Sequence, residues 1–321
     1  MASHRARRRR ARPSSGRRTV LYAVVASAVL VGGTAAGTVY VKAQAHDGGG
    51  LVSSSSAASG ASPTASEPTS GETSVEPVTE PSVDRTALLT KGMRAVTVAP
   101  GAKVSVAVLD LDSGESAAYG AGSFDTASIV KVDILAALLL QAQDADRRLT
   151  AQEKTYATAM ITDSDNASAS ALWDVIGQAH GLDAANDRFG LHGTTGGDGA
   201  LWGLTRTTAA DQLALLKQVF GDDSQLTEAS RTYLQGLMGE IAADQRWGVS
   251  AAADGSGWAL KNGWLPRSTT GLWDVNSIGR ITADGHDYLV AALSDGNSTK
   301  AKGIALVEAA ARAAVSAFST A

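Results

Sequence analysis

Three short groups of residues stand out for the chemistry that their types and spacing allow. Ser128-Ile129-Val130-Lys131 sets a hydroxyl and an amine three residues apart. On a helix that spacing brings them together, and a neutral Lys there can take the proton of a Ser nucleophile. Alone the match is weak, because serine is abundant and the chain has nine lysines. Ser164-Asp165-Asn166 is a rarer string; all three residue types also cap helices, and an Ala-rich run follows at once. Lys261-Asn262-Gly263 ends a segment with strand character.

The elements that must carry these groups follow from pattern. Arg85 to Val98 reads as an opening helix, Lys103 to Leu111 as a Val-rich strand, and Ser116 to Tyr119 as its hairpin partner across Asp112-Ser113-Gly114. Ser128 to Gln143 is apolar around most of its circumference, which predicts a buried helix. Further helices are expected over 151–160, 167–180, 208–220 and 227–243, strands over 257–263, 273–282 and 288–294, and an Ala-rich closing helix over 300–318. That order predicts an α+β fold. An antiparallel sheet of about five strands, built from both chain ends and flanked by the terminal helices, carries an inserted all-helical lobe.

The three motifs in this order resemble the serine penicillin-recognising superfamily, and the class A β-lactamases in particular, of an actinobacterial type with a divergent omega loop. The resemblance covers almost all of residues 85–321. It implies Ser128 as nucleophile and Lys131 as its proton acceptor, with Ser164 passing a proton to the leaving nitrogen. Asn166 would hold a substrate amide. Lys261 would supply positive charge near a substrate carboxylate and help to keep Lys131 neutral. Backbone N–H groups of Ser128 and Trp264 would form the oxyanion hole. A β-lactam or a peptidoglycan peptide is the implied ligand, bound by a monomeric catalytic domain with no metal and no cofactor.

Three departures from that pattern bear on function. Asn262 stands where the family has Thr or Ser, so an amide would meet the substrate carboxylate beside Gly263. The interval from Ser128 to Ser164 is short, which predicts a reduced lobe and a more open pocket. No Glu occurs from residue 154 to residue 227, so the deacylating base of class A enzymes has no counterpart. Trp202 falls near its place, and Asp198 and His192 are the nearby alternatives. Arg267, just past the third motif, has the chemistry to grip a carboxylate bidentately or to sit on the surface. Trp247, Trp258 and Trp273 read as core packing, and His180, His192 and His286 have no metal spacing.

Composition places the domain in the cell. The 321 residues carry 28 Lys+Arg and 32 Asp+Glu, a net charge of -4, with no Cys, which excludes disulfide frameworks, thiolate metal sites and Cys nucleophiles. Eight arginines lie within residues 1–18, followed by 23 uncharged residues over 19–41. A basic arm before an apolar stretch of that length predicts a membrane anchor with its arginines in the cytoplasm; Ala43-Gln44-Ala45 offers the alternative of a cleaved signal near Ala45. Residues 42–84, rich in Ser, Thr, Gly and Pro, predict a disordered tether. Both readings put the domain over 85–321 outside the cytoplasm. At 19 bases and 26 acids that domain is no nucleic-acid binder.

Overall fold

The computed structural model describes residues 83–319. The arm, the apolar stretch, the site near Ala45 and the tether up to residue 82 lie outside the described residues. Among the described residues, no helix is long and apolar enough to cross a membrane.

A five-stranded antiparallel sheet divides the domain, in the order β2-β1-β7-β6-β5. The first part of the chain gives β1 (Lys103–Asp110) and β2 (Ser116–Tyr119); the last part gives β5 (Trp258–Pro266), β6 (Trp273–Ala283) and β7 (His286–Asn297). Along β7, Tyr288, Val290 and Ala292 pack with α1 (Arg85–Met93) and α8 (Lys300–Ser319), whereas Leu289, Ala291 and Leu293 join the core beneath the helical lobe. Successive residues of a strand point to opposite faces, and here both faces are covered. That is why β1 reads as an unbroken apolar run (Val-Ser-Val-Ala-Val-Leu) rather than an alternation.

The lobe comprises α2 (Val130–Asp144), α3 (Ala151–Thr162), α4 (Asn166–Ile176), α5 (Gln178–Phe189), α6 (Ala209–Phe220) and α7 (Glu228–Gly239). α2 is its axis, buried almost throughout. A small second sheet, β3 (Phe124–Asp125) with β4 (Arg206–Thr207), ties the segment before α2 to the segment before α6.

Several boundaries differ from the expected ones, among them the end of the helix expected over 227–243, which stops at Gly239, and three have a local reason. α1 stops at Met93 rather than Val98, because Val96, Thr97, Val98 and Pro100 disfavour helical backbone. The helix expected over 167–180 is two helices, broken at Gly177 in the left-handed region with φ 91°. α5 then turns tightly beneath the end of α4: a Cβ on Gly181 would lie 1.6 Å from Ile176 O. Finally, Ser128 does not open α2 directly. It sits in a 3-10 turn, Ala127–Ile129, entered through Ala127 at φ 48°.

α2 also buries an acid that no motif requires. Both carboxylate oxygens of Asp133 are buried without a hydrogen-bond partner, next to Asn186 on α5, whose amide atoms are likewise unpartnered. Burial pushes the Asp133 carboxyl up to about 7; Asn186 opposes the shift, and the charges of Asp183 and Asp211 add to it. Between 3.8 and about 7 the unfolded chain ionises at this position while the native one does not, so native stability falls as pH rises through that window. Chemical denaturation of the wild type and of Asp133→Asn at about pH 4 and about pH 8 should show their stabilities diverging by roughly a few kcal/mol at the higher pH, the variant being the more stable. Parallel pH dependence of the two proteins would contradict this.

Candidate active site

The 3-10 turn presents Ser128, half-buried, to a cleft of ≈ 530 Å³. Its walls come from α4 (Asn166, Ser170), from the 200–204 segment, and from β5 with the turn after it (Trp264 to Thr269). Ser128 and Trp264, the residues expected to supply oxyanion N–H groups, both line it. The Ser128 hydroxyl makes no hydrogen bond among the described residues. Lys131, one turn on in α2, donates instead to Ser164 O at 2.6 Å, Ser164 Oγ at 3.1 Å and Asn166 Oδ1 at 2.8 Å. Hydrogen bonds from nucleophile to base often form only when substrate arrives.

Ser164 holds the centre. It adopts φ 57° at the end of α3, and its hydroxyl also accepts from Lys261 Nζ at 3.0 Å. The second lysine thereby reaches from β5 to meet the first. Asp165 caps α4 by accepting from Ser168 N at 2.6 Å, so the second motif is both a helix cap and a site. Both lysines are fully buried. Burial lowers Lys131 to about 8, against the attraction of Asp165. Lys261 is held well below its ordinary value, first by burial and second by the charge of Lys131. Desolvation, rather than a neighbouring cation, is thus the main reason that Lys131 loses its proton readily.

β5 approaches the turn that carries Ser128 as closely as backbone allows. A Cβ on Gly263 would lie 2.7 Å from Thr126 O, 2.8 Å from Ser128 N and 2.9 Å from Ile129 N. Gly263 pairs with Asn276 on β6, which is fully buried and whose Nδ2 donates to Asp125 O at 2.9 Å and Thr126 O at 3.0 Å. The backbone leading to Ser128 is therefore clasped from the sheet by a residue in which the sequence offers no motif. Only a polar residue predicted to lie on a buried strand could have drawn attention to it.

Asn262 does not meet a substrate. Consecutive strand residues face opposite sides, so with Lys261 turned towards Ser164 its neighbour turns away. Asn262 Nδ2 donates to Gln245 O at 2.6 Å and Trp247 O at 2.9 Å, and Trp247 packs with the core on the α8 side of the sheet. The Trp264 ring lies 5.9 Å from that of Trp247, with Lys300 Nζ 3.6 Å from its centroid. Arg267 lines the cleft but does not stand free for a carboxylate. It pairs with Asp125 and lies 3.6 Å from Asp274 Oδ2, while Arg206 takes the other Asp125 oxygen at 3.0 Å. Burial nevertheless raises the Asp274 carboxyl to about 6, since it outweighs the pull of Arg267.

No Asp or Glu is among the residues lining the cleft. His192 and Asp198 are exposed and do not line it, and Asp198 O accepts from Leu201 N in a turn. Trp202 occupies the wall instead, its ring centroid 5.0 Å from Lys131 Nζ. Away from the cleft, His286 meets Asp110 and Asp112 with ligand-capable atoms within 4.8 Å, but Asp110 already accepts from Asp112 N and Ser113 Oγ.

A family model described as the β-lactamase enzyme family matches residues 88–157 and 152–318. The chain belongs to that family. No curated protein matches it. Among solved structures, PBP-A is 22% identical with a TM-score of 0.63, over 74% of this chain and 97% of that one. A mutant of PBP-A, solved as an acyl-enzyme complex with penicillin G, gives 22% and 0.62 over the same shares. A β-lactamase from Xanthomonas campestris pv. campestris is 21% identical with a TM-score of 0.58, over 73% of this chain and 97% of that one. These likenesses show the β-lactamase fold.

In this β-lactamase family member, the two faces of β5 make opposite demands. Gly263→Ala should drive the strand off the nucleophile turn and slow acylation of Ser128 by about a hundredfold or more, because small misplacements at a reacting centre are that costly. Asn262→Ala should leave the acylation rate of folded protein within about threefold while lowering stability by roughly 1–3 kcal/mol, since two buried carbonyls lose their donor. Stopped-flow acylation and thermal melting of both variants check the contrast, and the reverse assignment of effects would refute it.

Proposed function

We propose that the domain is an extracytoplasmic serine hydrolase that forms an acyl-enzyme at Ser128 with a β-lactam or a cell-wall peptide amide, and releases it slowly. The observation that carries this reading is the buried relay Lys131–Ser164–Lys261, whose Lys131 also reaches Asn166 on the wall of the cleft that Ser128 lines. In acylation, Ser128 Oγ bonds to the carbonyl carbon and gives its proton to neutral Lys131. The C–N bond then breaks as Ser164 delivers a proton to the leaving nitrogen and recovers one from Lys131. A substrate carboxylate near Lys261 favours the protonated form of that lysine and, by repulsion across Ser164, the neutral form of Lys131. Asn166, exposed at the start of α4, is suited to holding the substrate amide.

Slow release follows from the want of a carboxylate in the cleft to activate water. The same observation favours a second reading, a penicillin-binding sensor with little turnover. In either case the apolar stretch 19–41 would anchor the domain to the membrane, or be removed near Ala45, and the tether would hold the domain at the wall.

The test is covalent labelling with a fluorescent penicillin, followed by intact mass spectrometry over hours. An adduct on the wild type that is missing from Ser128→Ala supports the acyl-enzyme; equal labelling of both proteins refutes it. Persistence of the adduct for hours supports the sensor, and a transient adduct the hydrolase.

A further inference from the structure

Trp202 stands where the motifs require nothing, yet it is held firmly. It opens a 3-10 turn, Trp202–Leu204, that packs against the nucleophile turn. Its indole N–H donates to Ser170 Oγ at 3.1 Å, one helical turn beyond Asn166 on α4. The loop around it is tied down twice more, by Trp173 Nε1 donating to Gly199 O at 2.7 Å and by Thr126 N donating to Thr205 O at 2.9 Å. The indole ring therefore has a fixed position, 5.0 Å from Lys131 Nζ.

We propose that Trp202 is a positioning and shielding residue that sets the lifetime of the acyl-enzyme by keeping water off Lys131, with Ser170 holding the indole in place. The inference rests on the acyl-enzyme reading above. Once the C–N bond has broken, the proton taken from Ser128 resides on the leaving nitrogen, and Lys131 is neutral again. Hydrolysis then needs a water whose oxygen bonds to the ester carbon as the C–Oγ bond breaks, with one water proton passing through a base to Ser128 Oγ. No carboxylate lines the cleft, and of the two buried amines Lys131 is the one that lies a helical turn from Ser128, which makes it the base in this proposal. The indole lines the cleft, and the amine, itself fully buried, lies over its ring. The π face of the indole also favours the ammonium form, which has no lone pair to take a proton. Both effects lengthen the life of the adduct.

The experiment is an intact-mass time course with benzylpenicillin on the full chain and on Trp202→Ala, Trp202→Phe and Ser170→Ala. Trp202→Ala should lose the adduct about tenfold faster or more, and its loss rate should rise with pH as Lys131 deprotonates. Trp202→Phe, which retains a ring but loses the bond to Ser170, should shorten the life of the adduct by less than Trp202→Ala does. Ser170→Ala, which removes the same bond, should behave like Trp202→Phe. Because Ser170 is exposed, that variant keeps the test available if Trp202→Ala folds poorly. A wild-type lifetime in both Trp202→Ala and Ser170→Ala, equal shortening in Trp202→Phe, or a pH-independent loss rate would overturn the proposal. An absence of adduct on the wild type itself would instead overturn the acyl-enzyme reading beneath it.

Discussion

Two fully buried lysines share one serine hydroxyl, and much of the domain serves to hold them there. Lys131 and Lys261 come from different layers, the axial helix of the lobe and the edge of the sheet, and both reach Ser164 Oγ. An ammonium group is expensive to bury, and two that face a single hydroxyl are more so. Such a pair yields a proton readily, and a base for a serine nucleophile must do so near neutral pH. The polar partners that offset the cost are the Ser164 carbonyl, Asn166 and the Asn262 carbonyl.

That arrangement demands a close fit between sheet and lobe. Gly263 lets β5 touch the turn that carries Ser128, and Asn276 holds the backbone of that turn from the neighbouring strand. Asp125, just before the turn that carries Ser128, is bound by Arg206 from β4 and by Arg267 from the turn after β5. Trp202, on the cleft wall, has its ring 5.0 Å from the Lys131 amine. The site thus brings the proton relay together with both of its lysines fully buried.

Much of this was legible in the chain. The fold followed from strand-like segments at both ends with helices between them, and Ser164, Lys261 and Lys131 meet as their motifs suggested. What escaped was set by three-dimensional context. The helical pattern over 167–180 does not reveal the break at Gly177, because the close passage of α5 beneath α4 cannot be seen from spacing. Asn262 was assigned to the cleft by its position in a motif, whereas strand alternation, applied to Lys261 and its neighbour, already turns it away. Arg267 offered the right chemistry, but its partners Asp125 and Asp274 are distant or unremarkable in sequence. Asn276 and Asp133 belong to no motif, and only their burial gives them meaning.

The central claim is that a lysine made easy to deprotonate by burial, Lys131, is the base for acylation. The most direct measurement is the acylation rate of the wild type by benzylpenicillin as a function of pH. Lys131 is lowered to about 8, so the neutral fraction grows as pH rises towards that value. The rate should climb about tenfold per pH unit below about 8 and level off above it. A profile that is flat from about pH 6 to about pH 9, or that falls across that range, would contradict the account.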